Sequence, residues 1–179
     1  MATPNFALMW TNFPDHGRYP TLTSLFKMIG GQLAKNIDVP GFGPNGNTCA
    51  VRLCRALNYG GLPISSKLLA SLKLNRRTLT GADKMLYLFR VRELRTYLGR
   101  ALGVTPEIVL KDFDTAFSGK RGIVAFSVEG WSNATGHLAL WNGDKFKEPD
   151  HDDYRVLKDD PSTPTIREPE TTKMTLWPL

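Results

Sequence analysis

Cysteine is scarce: two occur among 179 residues, Cys49 and Cys54. Two thiols five positions apart supply neither a disulfide framework nor the pair of pairs expected at a structural zinc site, so each cysteine has to be read on its own. Long apolar runs are also missing. The longest, from Ile123 to Val128, is interrupted by Ser127, whereas a membrane-spanning helix needs about 20 apolar residues. No membrane insertion is therefore expected. The N-terminus, Met1-Ala2-Thr3-Pro4-Asn5-Phe6, carries no Lys or Arg ahead of an apolar stretch, so a conventional secretory signal is not expected and export would need another route. Internal repeats and low-complexity tracts are absent as well.

What remains is the composition of a folded chain. Hydrophobic residues make up 41% and charged residues 22%, far from the signature of disorder. The length suits one domain, residues 1–179, with a core that needs no disulfide or metal. The formal net charge is +6, which favours anionic polymers such as nucleic acid, anionic lipid or bacterial cell wall.

Along the chain, Asn5 to Phe13 has Phe6, Met9, Trp10 and Phe13 at helical spacing and stops at Pro14. Thr21 to Lys35 sets Leu22, Leu25, Phe26, Ile29 and Leu33 on one helical face, with Gly30-Gly31 inside it. Val39 to Gly46, rich in Gly and Pro, reads as an ordered loop. It leads into Asn47 to Asn58, a helix that Asn47 or Thr48 can cap and Tyr59-Gly60-Gly61 ends. Leu86 to Leu102 predicts a further helix, with Arg90, Arg92, Arg95 and Arg100 on a largely solvated face. Beyond Gly119 the period changes. Gly122 to Val128 and Thr135 to Trp141 read as strands, and Asn142-Gly143 as a hairpin turn, while the tail from Asp159 is expected to be irregular. Helices followed by an antiparallel sheet define an α+β fold.

This order places one cysteine and one histidine favourably. Cys49 falls in the first turn of its helix, where unpaired N–H groups and the macrodipole favour a thiolate. Cys54 falls in the body of the same helix and reads as a packing residue. Of the three histidines, His16 follows Pro14-Asp15 in a loop and His151 sits in an acidic run, both expected to be solvated. His137 lies on a strand beside Gly136, which lets a backbone or substrate come close. Asp144, Glu148, Asp150 and Asp152 follow it closely enough to hold the imidazole. With Asn142-Gly143 as a two-residue turn, Glu148 stands opposite His137 on the same face; with the turn shifted to Gly143-Asp144, Asp150 takes that place. Glu148 is the first choice.

These residues resemble a known family, the type VI secretion amidase effectors of the fourth class within the papain-like, NlpC-type cell-wall peptidases. The resemblance rests on Asn47-Thr48-Cys49-Ala50-Val51-Arg52-Leu53, Ala56-Leu57-Asn58, Gly122-Ile123-Val124-Ala125-Phe126 and Gly130-Trp131-Ser132-Asn133-Ala134-Thr135-Gly136-His137 through Leu140-Trp141-Asn142-Gly143. It implies a papain-like α+β fold and a hydrolase that cuts the γ-D-glutamyl to meso-diaminopimelate amide of peptidoglycan stem peptides. Cys49 would be the nucleophile, His137 the base and Glu148 the acid; the family usually has Asp at that last position, eleven residues beyond the His. No cofactor or metal is implied. Implied partners are stem peptides, type VI secretion components and a cognate periplasmic immunity protein, with delivery to the periplasm of a target bacterium. A competing reading is a non-enzymatic, basic nucleic-acid-binding module, which lacks a recognised binding motif or an aromatic-basic stacking run.

Overall fold

The computed structural model describes residues 3–39, 47–132, 134–156 and 165–179. Positions 40–46, most of the expected Gly/Pro loop, lie outside them. The first helix, α1 (Phe6–Asn12), starts where the Asn5 side chain accepts a hydrogen bond from the Leu8 N–H and ends before Pro14. The single helix expected from Thr21 to Lys35 is two, α2 (Leu22–Ile29) and α3 (Gly31–Lys35), divided at Gly30 with φ 72°. A neighbouring turn explains the break: a Cβ on Gly31 would lie 2.5 Å from the Gly81 carbonyl carbon and 2.6 Å from the Ala82 nitrogen. Glycine is needed because two backbones meet there.

Helix α4 (Cys49–Tyr59) is buried along almost its whole length and ends at Gly60. After α5 (Ser66–Ser71), strands β1 (Thr78–Thr80) and β2 (Leu86–Leu88) pair antiparallel. The helix expected from Leu86 therefore starts later, as α6 (Val91–Ala101), because Tyr87 and Leu88 are buried against the core as strand residues. The remaining elements are β3 (Glu107–Val109), a short 3-10 turn (Phe113–Thr115), β4 (Gly122–Trp131), β5 (Gly136–Trp141), the single-turn α7 (Pro149–Asp152) and β6 (Thr165–Pro178).

Four strands form one antiparallel sheet in the order β3-β6-β4-β5. The C-terminal tail, expected to be irregular, thus supplies an interior strand from Thr165 onward. Its last residues alternate across the sheet: Met174 and Leu176 on one face, Trp177 on the other. On the helical face, Leu53 and Leu57 of α4 pack with Ile123, Ala125, Leu138, Leu140 and Trp177. The opposite face carries Val124, Phe126, Ala139, Trp141 and Leu176. Period-two alternation along β5 puts His137 on this second face, opposite Phe126. Gly136 is required beside it, since a Cβ there would sit 2.0 Å from the Phe126 carbonyl oxygen.

The hairpin after β5 takes the shifted turn. Trp141 pairs with Phe146, and the Lys147 N–H bonds the Leu140 carbonyl, with Gly143-Asp144 at the tip. Pairing then stops, because Pro149 has no N–H to donate and opens α7 as its first residue. Neither Glu148 nor Asp150 reaches the strand position opposite His137. Among the described residues, no helix is long and apolar enough to cross a membrane.

Leu176 is fully buried between the central strands. Leu176→Ala should lower unfolding stability by about 2 to 5 kcal/mol, as large-to-small core substitutions do; denaturant titration measures it, and an unchanged midpoint would place the tail outside the cooperative core.

Candidate active site

Cys49 is the first residue of α4 and 4% exposed. Of the two predicted caps, Asn47 satisfies the first N–H of the helix, whereas Thr48, at the N-cap position, makes no capping bond. The Asn47 Oδ1 accepts the Cys49 N–H at 3.1 Å, and the Thr48 hydroxyl accepts a hydrogen bond from Arg52 Nε at 2.9 Å. Cys54, one and a half turns on, is fully buried with its thiol directed at the Leu88 carbonyl, and burial pushes that thiol up to about 12. It stays protonated and inert, as a packing residue should.

Three elements converge on His137. Its Nε2 donates to Asp152 Oδ1 at 2.8 Å, which leaves Nδ1 as the ring nitrogen facing the Cys49 thiol. The Tyr154 ring stacks on the imidazole, with centroids 4.4 Å apart and planes at 28°. Burial works against the charged imidazole, yet the Cys49 sulfur and the Asp152 carboxylate outweigh it and raise the His137 pKa to about 10. The imidazolium form is therefore favoured through the neutral range. A thiolate beside it is a competent nucleophile, and the ring can later return its proton.

The acid at His137 differs from both register expectations. Asp152, the last residue of α7, reaches the ring because the helical turn opened by Pro149 swings it inward. Glu148 instead pairs with His16: its Oε1 accepts the His16 N–H at 2.6 Å and its Oε2 lies 2.9 Å from His16 Nδ1. Burial alone would raise the Glu148 pKa, but the two bonds from His16 and the Arg52 charge lower it. Asp150 is exposed on α7. Of the two histidines expected to be solvated, His151 is exposed and His16 half-buried, and their rings stack with centroids 4.1 Å apart.

Arg52 has a structural role that the sequence did not reveal. It is 1% exposed on α4 and donates to the Pro14 carbonyl and, at 2.6 Å, to the Tyr19 carbonyl. Burial draws its pKa down, while negative charge on Glu148, Asp152, Cys49 and Asp15 acts the other way. Its spacing of one helical turn from Thr48 was a visible signal; the burial was not. No group of three or more metal-ligating side chains occurs among the described residues.

A helix-borne cysteine abutting a strand-borne histidine on an α+β frame is the arrangement of the papain-like, NlpC-type hydrolases. Residues 45–177 match the model of family Tae4, the type VI secretion system (T6SS) amidase effector protein 4. The chain belongs to this family of peptidoglycan amidase effectors. Among solved structures, it is similar to the Tae4 effector of Enterobacter cloacae in complex with Tai4, with 32% identity over 99% of both chains and a TM-score of 0.76. The Enterobacter cloacae effector without its partner gives 31% identity over 99% and 98% of the two chains, with a TM-score of 0.73. The Tae4 effector of Salmonella typhimurium in an effector-immunity complex gives 28% identity over 99% of both chains and a TM-score of 0.74. No curated protein matches the chain. The nucleic-acid-binding alternative is not favoured.

The raised His137 pKa has a thermodynamic consequence. The folded chain holds this proton more tightly than the unfolded chain, whose histidines titrate near ~6.5. The stability it contributes is full below that value and is lost as pH rises towards about 10. Melting temperature should accordingly decline from pH 6.5 to pH 10, and His137→Gln should flatten the decline; parallel profiles for the two proteins would contradict the shift.

Proposed function

We propose that residues 1–179 act as one cysteine amidase domain that hydrolyses the γ-D-glutamyl to meso-diaminopimelate amide of peptidoglycan stem peptides. The observation that carries this reading is the buried contact set of Cys49, His137 and Asp152, with Asp152 rather than Glu148 as the acid on the imidazole. The Cys49 thiolate attacks the amide carbonyl and forms a tetrahedral oxyanion. His137 then donates its proton to the departing amine, leaving a thioester on Cys49. Water, deprotonated by His137, attacks the thioester and releases the γ-glutamyl carboxylate, with the thiolate as leaving group. Asp152 keeps the ring oriented and supports its charge in both half-reactions. The Cys49 N–H, which donates to Asn47 Oδ1 in the free protein, would turn to the oxyanion. These groups supply nucleophile, proton carrier and orienting carboxylate themselves, so the scheme invokes no metal or cofactor.

The family is one of type VI secretion amidase effectors, which supports this reading. The reading accordingly includes delivery by secretion components into the periplasm of a target bacterium, and a periplasmic immunity protein that protects the producer, as Tai4 accompanies Tae4 in the similar structures. The net charge of +6 suits an anionic wall polymer.

Incubation with defined stem-peptide fragments, followed by mass spectrometry, should give products one water heavier in sum, split between D-glutamate and diaminopimelate. Cys49→Ala should abolish the split while the protein stays folded. Asp152→Asn should slow it by about 10² or more, the scale of a positioned acid–base partner. Cleavage at an undiminished rate by the Cys49→Ala protein would remove the scheme.

A further inference from the structure

We infer that Glu148 is a positioning residue: with His16 it forms a clasp that holds α7, and thereby the Asp152 carboxylate, against His137. The inference rests on the Cys49, His137 and Asp152 assignment above. Helix α7 has only four residues, far too few to be stable by itself. Its orientation must come from outside contacts. The two Asp152 oxygens are divided, Oδ1 to His137 and Oδ2 to the Glu148 main-chain N–H at 3.3 Å, while the Asp152 N–H returns a bond to the Glu148 carbonyl at 2.7 Å. Whatever fixes Glu148 therefore fixes Asp152.

Two bonds from His16 fix the Glu148 side chain, which is 9% exposed. The segment that carries His16 is in turn tied to α4, because Arg52 donates to the carbonyls of Pro14 and Tyr19 on either side of it. His16 also stacks on His151 of α7. The contacts close a ring: Cys49 and Arg52 on α4, the 14–19 segment, Glu148, Asp152, His137, and back to Cys49. His16 lies between α1 and α2, so the clasp ties the N-terminal segment to the site. A carboxylate at this position thus acts through Asp152 and need not touch substrate.

Alkylation of Cys49 by iodoacetamide tests the clasp without any substrate, since only the thiolate reacts and Cys54 is buried with its thiol pushed up to about 12. Glu148→Ala and His16→Ala should each slow alkylation at pH 7 several-fold, because a displaced Asp152 supports the His137 imidazolium less well and leaves less of the thiolate paired with it. On stem peptides each should lower kcat about tenfold with KM little changed, the effect of a slightly misplaced group. The double variant should be no worse than either single one, His16→Asn should restore most of the loss because its amide can replace Nδ1, and neither change should add to Asp152→Asn. Should Glu148→Ala fail to fold, His16→Ala, at a partly exposed position, carries the test. A parental alkylation rate in the folded variants, or losses that multiply in the double variant or on Asp152→Asn, would overturn the clasp. Absence of stem-peptide cleavage by the parental protein would strike the proposed substrate and leave the alkylation result standing.

Discussion

A buried imidazole keeps its proton only where negative charge stands beside it on fixed atoms. His137 is 5% exposed, and its charge depends on Cys49 on one side and Asp152 on the other. Much of the fold can be understood as the means of bringing these three groups together. Helix α4 supplies the sulfur at its first residue, β5 supplies the ring at the edge of the sheet, and a single helical turn supplies the carboxylate. Tyr154 closes the remaining face of the ring. Such an arrangement is costly to leave half made: removal of one partner would strand a charge where water cannot reach it.

Arg52 balances the negative side of this account. Sulfur, Asp152, Glu148 and Asp15 all act on one buried guanidinium, whose hydrogen bonds go to backbone carbonyls and a hydroxyl and to none of those acids. The cation is therefore shared. It offsets the acids electrostatically while its fixed donors tie the N-terminal segment to the helix that carries the sulfur. A lysine would be a poor replacement, because the planar guanidinium reaches three acceptors at once.

Much of the frame was legible in the sequence, and the reasons differ residue by residue. The cysteine helix, the two strands around Gly136 and the role of Cys54 as packing follow from caps, glycines and periodicity, which are local properties. The tail was misjudged because Pro, Thr and charge dominate its beginning, while the alternation of Met174, Thr175, Leu176 and Trp177 that makes it a strand is confined to its end. Neither Glu148 nor Asp150 stands opposite His137, for a geometric reason. Register across a hairpin places a side chain only while the ladder lasts, and Pro149 ends it just before the residue of interest. His16 and Arg52 were hidden because their partners lie 132 and up to 38 positions away, distances over which spacing carries no signal.

The charge state of one ring is the centre of the account. Nitrogen-15 NMR of the free protein at pH 7 reads it directly, since the two His137 nitrogens report whether each carries a proton. The account predicts both nitrogens protonated at pH 7, with a titration midpoint far above the ordinary histidine value that falls markedly in Cys49→Ala. A neutral His137 at pH 7, titrating near the ordinary value of ~6.5, would contradict it.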